Sequence, residues 1–153
     1  MKITDVKAFA LSFKLENAPR RGVGQPIKKD TVIVRIKTED DIVGYGEAHH
    51  ALAPTLVADL VNQNLAPIVV GCNAIEVEDI WNRIYLKQGQ THGPGNALYK
   101  ALSSVDVALW DVRGKALKQP VYRLLGGARK KIRAYAGGVC MGFKPPPALL
   151  EEA

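Results

Sequence analysis

The chain has 153 residues, 47% apolar and 24% charged, a composition that fits a globular domain of ordinary size and excludes a disordered polypeptide. No apolar run approaches the roughly 18–20 residues that cross a bilayer, and Met1-Lys2-Ile3-Thr4-Asp5 carries charge where a signal peptide carries its hydrophobic stretch. The expectation is therefore a cytoplasmic protein with no membrane partner. A balance of 21 basic against 15 acidic residues, net +6, is an excess that solvated surface explains without nucleic acid.

In chain order, the first fifty residues read as strands. Ile3 to Phe13 is an apolar-rich run with Phe9, Leu11 and Phe13 on one side, and Thr31 to Thr38 alternates, with Val32, Val34 and Ile36 opposite Thr31, Arg35 and Lys37. A tight turn at Glu39-Asp40-Asp41 leads into Ile42 to Ala48, so the second and third strands are expected to form a hairpin in an antiparallel meander. Between the first two strands, Lys14 to Lys29 is rich in Pro, Gly and Arg. It exceeds the roughly 12–15 residues beyond which structureless connections become uncommon, which leaves a functional lid or a disordered flap. The lid is the favoured reading.

After Ala53 the period changes to that of helices. Pro54 suits a first turn, Leu56, Leu60, Val61 and Leu65 are expected to share a face, and Pro67 is expected to end or kink the helix. Asn73 and Glu76 have the spacing of a capping box ahead of a second helix that buries Val77, Ile80, Trp81 and Ile84. The third helix is the most regular, with Leu98, Ala101, Leu102, Val105, Leu109, Val112 and Ala116 on one stripe until Pro120, and it is expected to centre the core. Gly114 within it suggests close approach of another backbone.

Residues 120–127 read as a short helix begun by Pro and stopped by Gly126-Gly127. Residues 131–136 alternate as a strand with no partner in the meander, and Ala148 to Ala153 opens another helix. A strand followed by a helix begins a βα repeat, so the chain looks cut there. The expected fold class is α+β: a three-stranded antiparallel meander and a helical bundle over 1–127, then over 128–153 the first strand and helix start of a second, unfinished domain.

Candidate chemistry is sparse. Gly22-Val-Gly24 lacks a third glycine and Gly126-Gly127 ends a helix, so neither is a phosphate loop. Cys72 and Cys140 are far apart with no zinc spacing, and are expected as reduced thiols. Glu47, His49, His50 and His92 are the only residues resembling a metal or acid/base cluster, but neighbours on a strand point to opposite faces, so His49 and His50 do not easily chelate one ion. They read as polar residues at a strand end or as substrate contacts. The basic groups 28–29 and 129–131 read as solvated surface, whereas Arg20-Arg21 in the long loop could form a carboxylate-binding fork. Asp106, Trp110 and Asp111 read as hydrogen-bonded structural residues beside the core stripe.

The stretch from Ala101 to Gly127, with Asp106, Leu109-Trp110-Asp111, Gly114-Lys115, Pro120 and Leu124-Leu125-Gly126-Gly127, resembles the mandelate racemase/muconate lactonizing enzyme family of the enolase superfamily. Val43-Gly44-Tyr45-Gly46-Glu47-Ala48 matches that family's third-strand motif and Lys2-Ile3-Thr4-Asp5-Val6 its start. Lys118-Gln119 departs from the family pattern, where a Gly commonly stands two places before Pro120.

The resemblance implies an enolase-type N-terminal capping domain, with 131–136 as the first strand of a truncated TIM-type barrel. It implies a parent enzyme, a lyase or isomerase and a homo-oligomer, that uses Mg²⁺ to remove the proton α to the carboxylate of a small substrate. Acid-sugar dehydration and racemisation or epimerisation are the leading reactions, with cycloisomerisation as a further one. The catalytic base and the Mg²⁺ carboxylates would lie outside these residues, leaving the chain inactive alone. By the same resemblance Arg20, Arg21, His49 and His50 occupy two substrate-specificity loops. The competing expectation is a free-standing module whose basic loop binds an anion or nucleic acid without catalysis.

Overall fold

The computed structural model describes residues 1–16, 18, 26–49, 53–135 and 144–152. They divide into two compact units, Met1–Leu11 with Asp30–Gly127, and Ser12–Lys29 with Ala128–Ala153.

Strands β1 (Ile3–Lys14), β2 (Lys28–Thr38) and β3 (Val43–Ala48) form one sheet in the order β1-β2-β3. β2 and β3 pair antiparallel from Val32↔Ala48 to Lys37↔Val43, the expected hairpin. Its turn is closed by the Thr38 N–H donating to the Ile42 carbonyl (3.0 Å) and by Asp41 at φ 58°, a left-handed position that Asp tolerates better than most side chains. Both strands run further than expected into the long connection, and the Leu15 N–H donates to the Ile27 carbonyl at 2.9 Å.

The inward face of the sheet carries Val32, Val34 and Ile36, all fully buried, with Val6 and Ala8 of β1, and Ile3 is buried at the start of that strand. The side of β1 that bears Phe9, Leu11 and Phe13 is the outer one, and all three are exposed. Ring size does not choose the face here. Pairing with β2 sets the register, and Phe9 finds cover under the Arg35 guanidinium, 5.4 Å from its ring centroid. Arg35 also pairs with Asp5 at 3.0 Å. On the free edge of β1, the Ala8 N–H donates to Asn62 Oδ1 (2.8 Å) and Asn62 Nδ2 donates to the Ala8 carbonyl (3.1 Å).

Helix α1 covers 54–69: α-helical over Pro54–Asp59, π-helical over Leu60–Leu65 and α-helical again over Ala66–Val69. Pro54 starts it as expected. Its buried side carries Val57, Ala58, Val61 and Leu65, while Leu56 is exposed. Pro67 does not stop the helix. A proline ring collides with the carbonyl one α-turn earlier, and the wider π turn just before Pro67 relieves that collision. Gly71, at φ +88°, ends the run.

Helix α2 covers 77–92, α-helical over Val77–Ile84, π-helical over Tyr85–Gly89 and α-helical over Gln90–His92. Val77, Ile80 and Ile84 are buried, and Trp81, half-buried, stacks on Tyr85 with centroids 5.2 Å apart. Asn73 is not the N-cap, which falls at Glu76. The backbone at 73 is held in a bridge to Lys2, with the Ala74 N–H donating to the Met1 carbonyl at 3.0 Å. The Asn73 amide instead donates to Glu76 Oε1 (3.2 Å) and closes the preceding turn.

Helix α3 (Asn96–Ala116) is the centre of the core: Leu98, Ala101, Leu102, Val105, Leu109 and Val112 are buried along it, as expected. It lies directly on β3. A Cβ on Gly44 would stand 2.9 Å from Val112 N and inside contact distance of the Ala108 carbonyl oxygen, and one on Gly46 would stand 2.8 Å from Ala108 N and overlap the Ser104 carbonyl oxygen. The two glycines therefore set the distance between strand and helix. At the far end the chain doubles back, with the Gln119 N–H donating to the Gly114 carbonyl at 2.9 Å and the Gln119 carbonyl 3.0 Å from the position of a Gly114 Cβ, which is the close approach Gly114 suggested. The short helix α4 (Val121–Leu124) ends at Gly126 and Gly127, both left-handed.

In the second unit, helix α5 spans Pro146–Glu152. The strand expected over 131–136 does not form over its described residues: 131–135 have no ladder and are exposed, Ile132 by 83% and Tyr135 by 93%. Alternation specifies a strand only where a neighbour accepts its hydrogen bonds, and no described strand lies beside these residues.

Candidate functional site

Strand β3 ends at Ala48, which pairs with Val32 of β2. His49 follows Ala48 there and is exposed. Arg20, Arg21 and His50, the other expected substrate contacts, lie outside the described residues, as does Cys140. His92, at the end of α2, is exposed. Glu47 on β3 accepts a hydrogen bond from the Thr31 hydroxyl across the hairpin, which assigns it to sheet pairing.

The strand motif owes its glycines to packing and its polar tie to α3. The Tyr45 N–H donates to Asp111 Oδ2 at 2.8 Å, and Lys115 Nζ bridges Asp111 Oδ2 (2.6 Å) and the Val43 carbonyl (2.7 Å). Lys115 also lies 5.5 Å from the Tyr45 ring centroid. These contacts fasten α3 to the outer edge of β3 and hold the strand end from which His49 departs. Asp111 is thus the hydrogen-bonded structural carboxylate expected of this helix.

Asp106 is not. Among the described residues its carboxylate has no hydrogen-bond or ion-pair partner, and burial pushes its pKa above the ordinary carboxylate value. It sits in a cleft of about 350 Å³ between α2 and α3, lined by Val77, Glu78, Trp81, Asn82, Asp106 and Trp110. The i, i+4 spacing of Asp106 and Trp110 shows in the sequence, but the facing Trp81 and Glu78 of α2 depend on how the two helices pack.

The sign of the Asp106 shift gives a stability prediction. A carboxyl whose folded pKa is raised favours the fold most when protonated, below its unfolded pKa, and loses that contribution as pH rises through the folded value. Asp106→Asn should therefore melt above the parent chain at pH 7, with the gap closing as pH falls through the raised folded value and closed by about 4. Thermal melts followed by circular dichroism across that range check it.

No group of three His, Cys, Asp or Glu among the described residues is placed to hold a metal ion. Cys72 is a free thiol that donates to the Ile68 carbonyl at 3.3 Å. No helix among the described residues is long and apolar enough to cross a membrane.

The three-stranded sheet followed by helices matches the N-terminal domain of enolase-superfamily proteins. The family described as mandelate racemase / muconate lactonizing enzyme, N-terminal domain, matches residues 10–126, and the chain belongs to it. A solved structure of an enolase-superfamily member from Polaromonas sp. JS666 superposes with a TM-score of 0.91 at 42% identity, over 99% of this chain and 40% of that one. A D-galactonate dehydratase family member of Paenibacillus sp. strain JDR-2 is 38% identical over 69% of this chain. Arabinonate dehydratase of Saccharolobus solfataricus is 31% identical over 89% of it. The chain spans 26% and 37% of the lengths of these two relatives. The free-standing anion- or nucleic-acid-binding reading finds no support among these matches, which are to enolase-superfamily proteins and acid-sugar dehydratases.

Proposed function

We propose that the chain serves as the substrate-capping part of an enzyme that dehydrates a small acid sugar, a carboxylate substrate, in a reaction begun by removal of the proton α to the carboxylate. In this reading residues 1–127 are the cap and 128–153 lead into a barrel domain that supplies the base and binds Mg²⁺, the ion supplying charge stabilisation for the enediolate. The observation that carries it is the agreement of the matches: the relatives at 38% and 31% identity are named for dehydration of sugar acids. Racemisation and cycloisomerisation are the competing outcomes within the superfamily, and a 3,6-anhydro-D-galactonate cycloisomerase from Zobellia galactanivorans has the same fold at a TM-score of 0.70 and 28% identity.

The cap's part is recognition. Arg20 and Arg21 in the long connection and His49 and His50 after β3 provide guanidinium and imidazole donors for a hydroxylated carboxylate, and each charge-assisted contact of this kind contributes on the order of 1.5–3 kcal/mol. In this reading one of the two neighbouring arginines faces the substrate and the other faces water, so Arg20→Ala and Arg21→Ala should differ. In the whole gene product, with a panel of acid sugars as substrates, one of them should lower kcat/KM by roughly ten- to a hundredfold. Exchange of the substrate α-proton with solvent should persist in both. Loss of exchange at unchanged substrate affinity would show that the loop takes part in proton transfer, and absence of dehydration across the panel would defeat the dehydratase reading.

A further inference from the structure

We propose that the cleft between α2 and α3 is a docking site for an arginine side chain presented by a partner protein. The proposal does not depend on the capping reading, because every residue it uses lies within the first unit.

The cleft combines three features that a guanidinium satisfies together. Trp81 and Trp110 line it, and an indole attracts a planar cation through its ring quadrupole. Asp106 offers a half-buried carboxylate that no described residue pairs, and Glu78 adds a second, exposed carboxylate at the rim. Asp5, Asp79 and Asp111, by contrast, pair at close range with Arg35, Arg83 and Lys115.

The guanidinium beside Trp110 does not fill this role. Arg113 lies over the Trp110 ring at 5.1 Å, yet its Nε is buried without a partner and it makes no ion pair with Asp106. Its position shows that the Trp110 face accepts a guanidinium while leaving the carboxylate free. Arginine fits better than lysine because its flat fork can stack on an indole and bond a carboxylate at once. A cleft of about 350 Å³, near the lower end of the ~300–1,000 Å³ of small-ligand pockets and open at Glu78 and Asn82, suits a protruding side chain.

The two residues Trp81 and Trp110 are the only tryptophans of the chain, so tryptophan emission, excited selectively beyond the tyrosine band, reports on this cleft. The test titrates the 153-residue chain with acetyl-arginine amide and with its neutral isostere, acetyl-citrulline amide. The arginine probe should give a saturable change, and the citrulline probe should bind at least about tenfold more weakly. Asp106→Asn should weaken the arginine probe by about tenfold, and Glu78→Gln, on the exposed rim, by about two- to fivefold. Equal response to the two probes, or no saturable change, would overturn the proposal. Should Asp106→Asn fail to fold by circular dichroism, Glu78→Gln decides, and an unaltered titration in that variant overturns it. Self-association seen by sedimentation and abolished by Glu78→Gln would identify the occupant as a second copy and overturn the assignment to a different protein.

Discussion

Gly46→Ala should cost the first unit at least about 3 kcal/mol, the upper end of what overpacking does to a core, or prevent folding. The added methyl would meet backbone: the Ser104 carbonyl oxygen and, at 2.8 Å, the Ala108 amide nitrogen. A rotamer change relieves a clash with a flexible side chain, but here α3 has to lift from β3 along its length. That lift would also open the contacts of Leu109 and Val112 and break the Tyr45–Asp111 and Lys115–Val43 hydrogen bonds on the same helix. The control is Gly95→Ala, where nothing stands within 4 Å of the added carbon and φ is −83°, and where the expected change is under about 1 kcal/mol. Urea titrations of both variants check this. Equal midpoints would mean that the helix does not sit on the glycines.

Leu109→Ala should destabilise the same unit by roughly 2–5 kcal/mol, the range for deleting a buried leucine side chain. Leu109 is 1% exposed and lies on the stripe with Val105 and Val112. Two residues away on the same helix, Val107 is 50% exposed. Val107→Ala should be neutral or slightly stabilising, because alanine is the better helix former and little burial is lost. Comparable losses in the two variants, by the same titration, would place the buried face of α3 wrongly.

The stripe of α3 was readable from spacing alone because one helix face alternating with one core is a local, periodic signal. The β2–β3 hairpin was readable for the same reason, with a short acidic turn between two runs of period two. What escaped depends on partners. The aromatic side of β1 faces outward because β2 dictates the register, and Val57 replaces Leu56 on α1 because the π turn rotates the helix relative to a regular 3.6 repeat. Residues 131–135 alternate without a neighbour to pair with. At the candidate site, Asp106 and Trp110 showed their shared face, but that Asp106 is unpaired and Asp111 is the tied one follows only from where β3 and α2 lie. Arg20, Arg21 and His50 were named from motif and charge, and stand on that argument.

The Asn62 amide beside β1 has a consequence for solubility. Ala8 sits on the free edge of the sheet, where an unpaired N–H and C=O invite a strand from another molecule. One side-chain amide, projecting from the π turn of α1, supplies both the acceptor and the donor that such a strand would bring. It works as a one-residue counterfeit of a neighbouring strand, and an incoming chain zipping along the edge finds that rung already taken. Asparagine is suited to this because its amide copies the peptide group. Asn62→Leu would keep the forked shape and free the rung, so the edge would become adhesive, seen as concentration-dependent association in sedimentation.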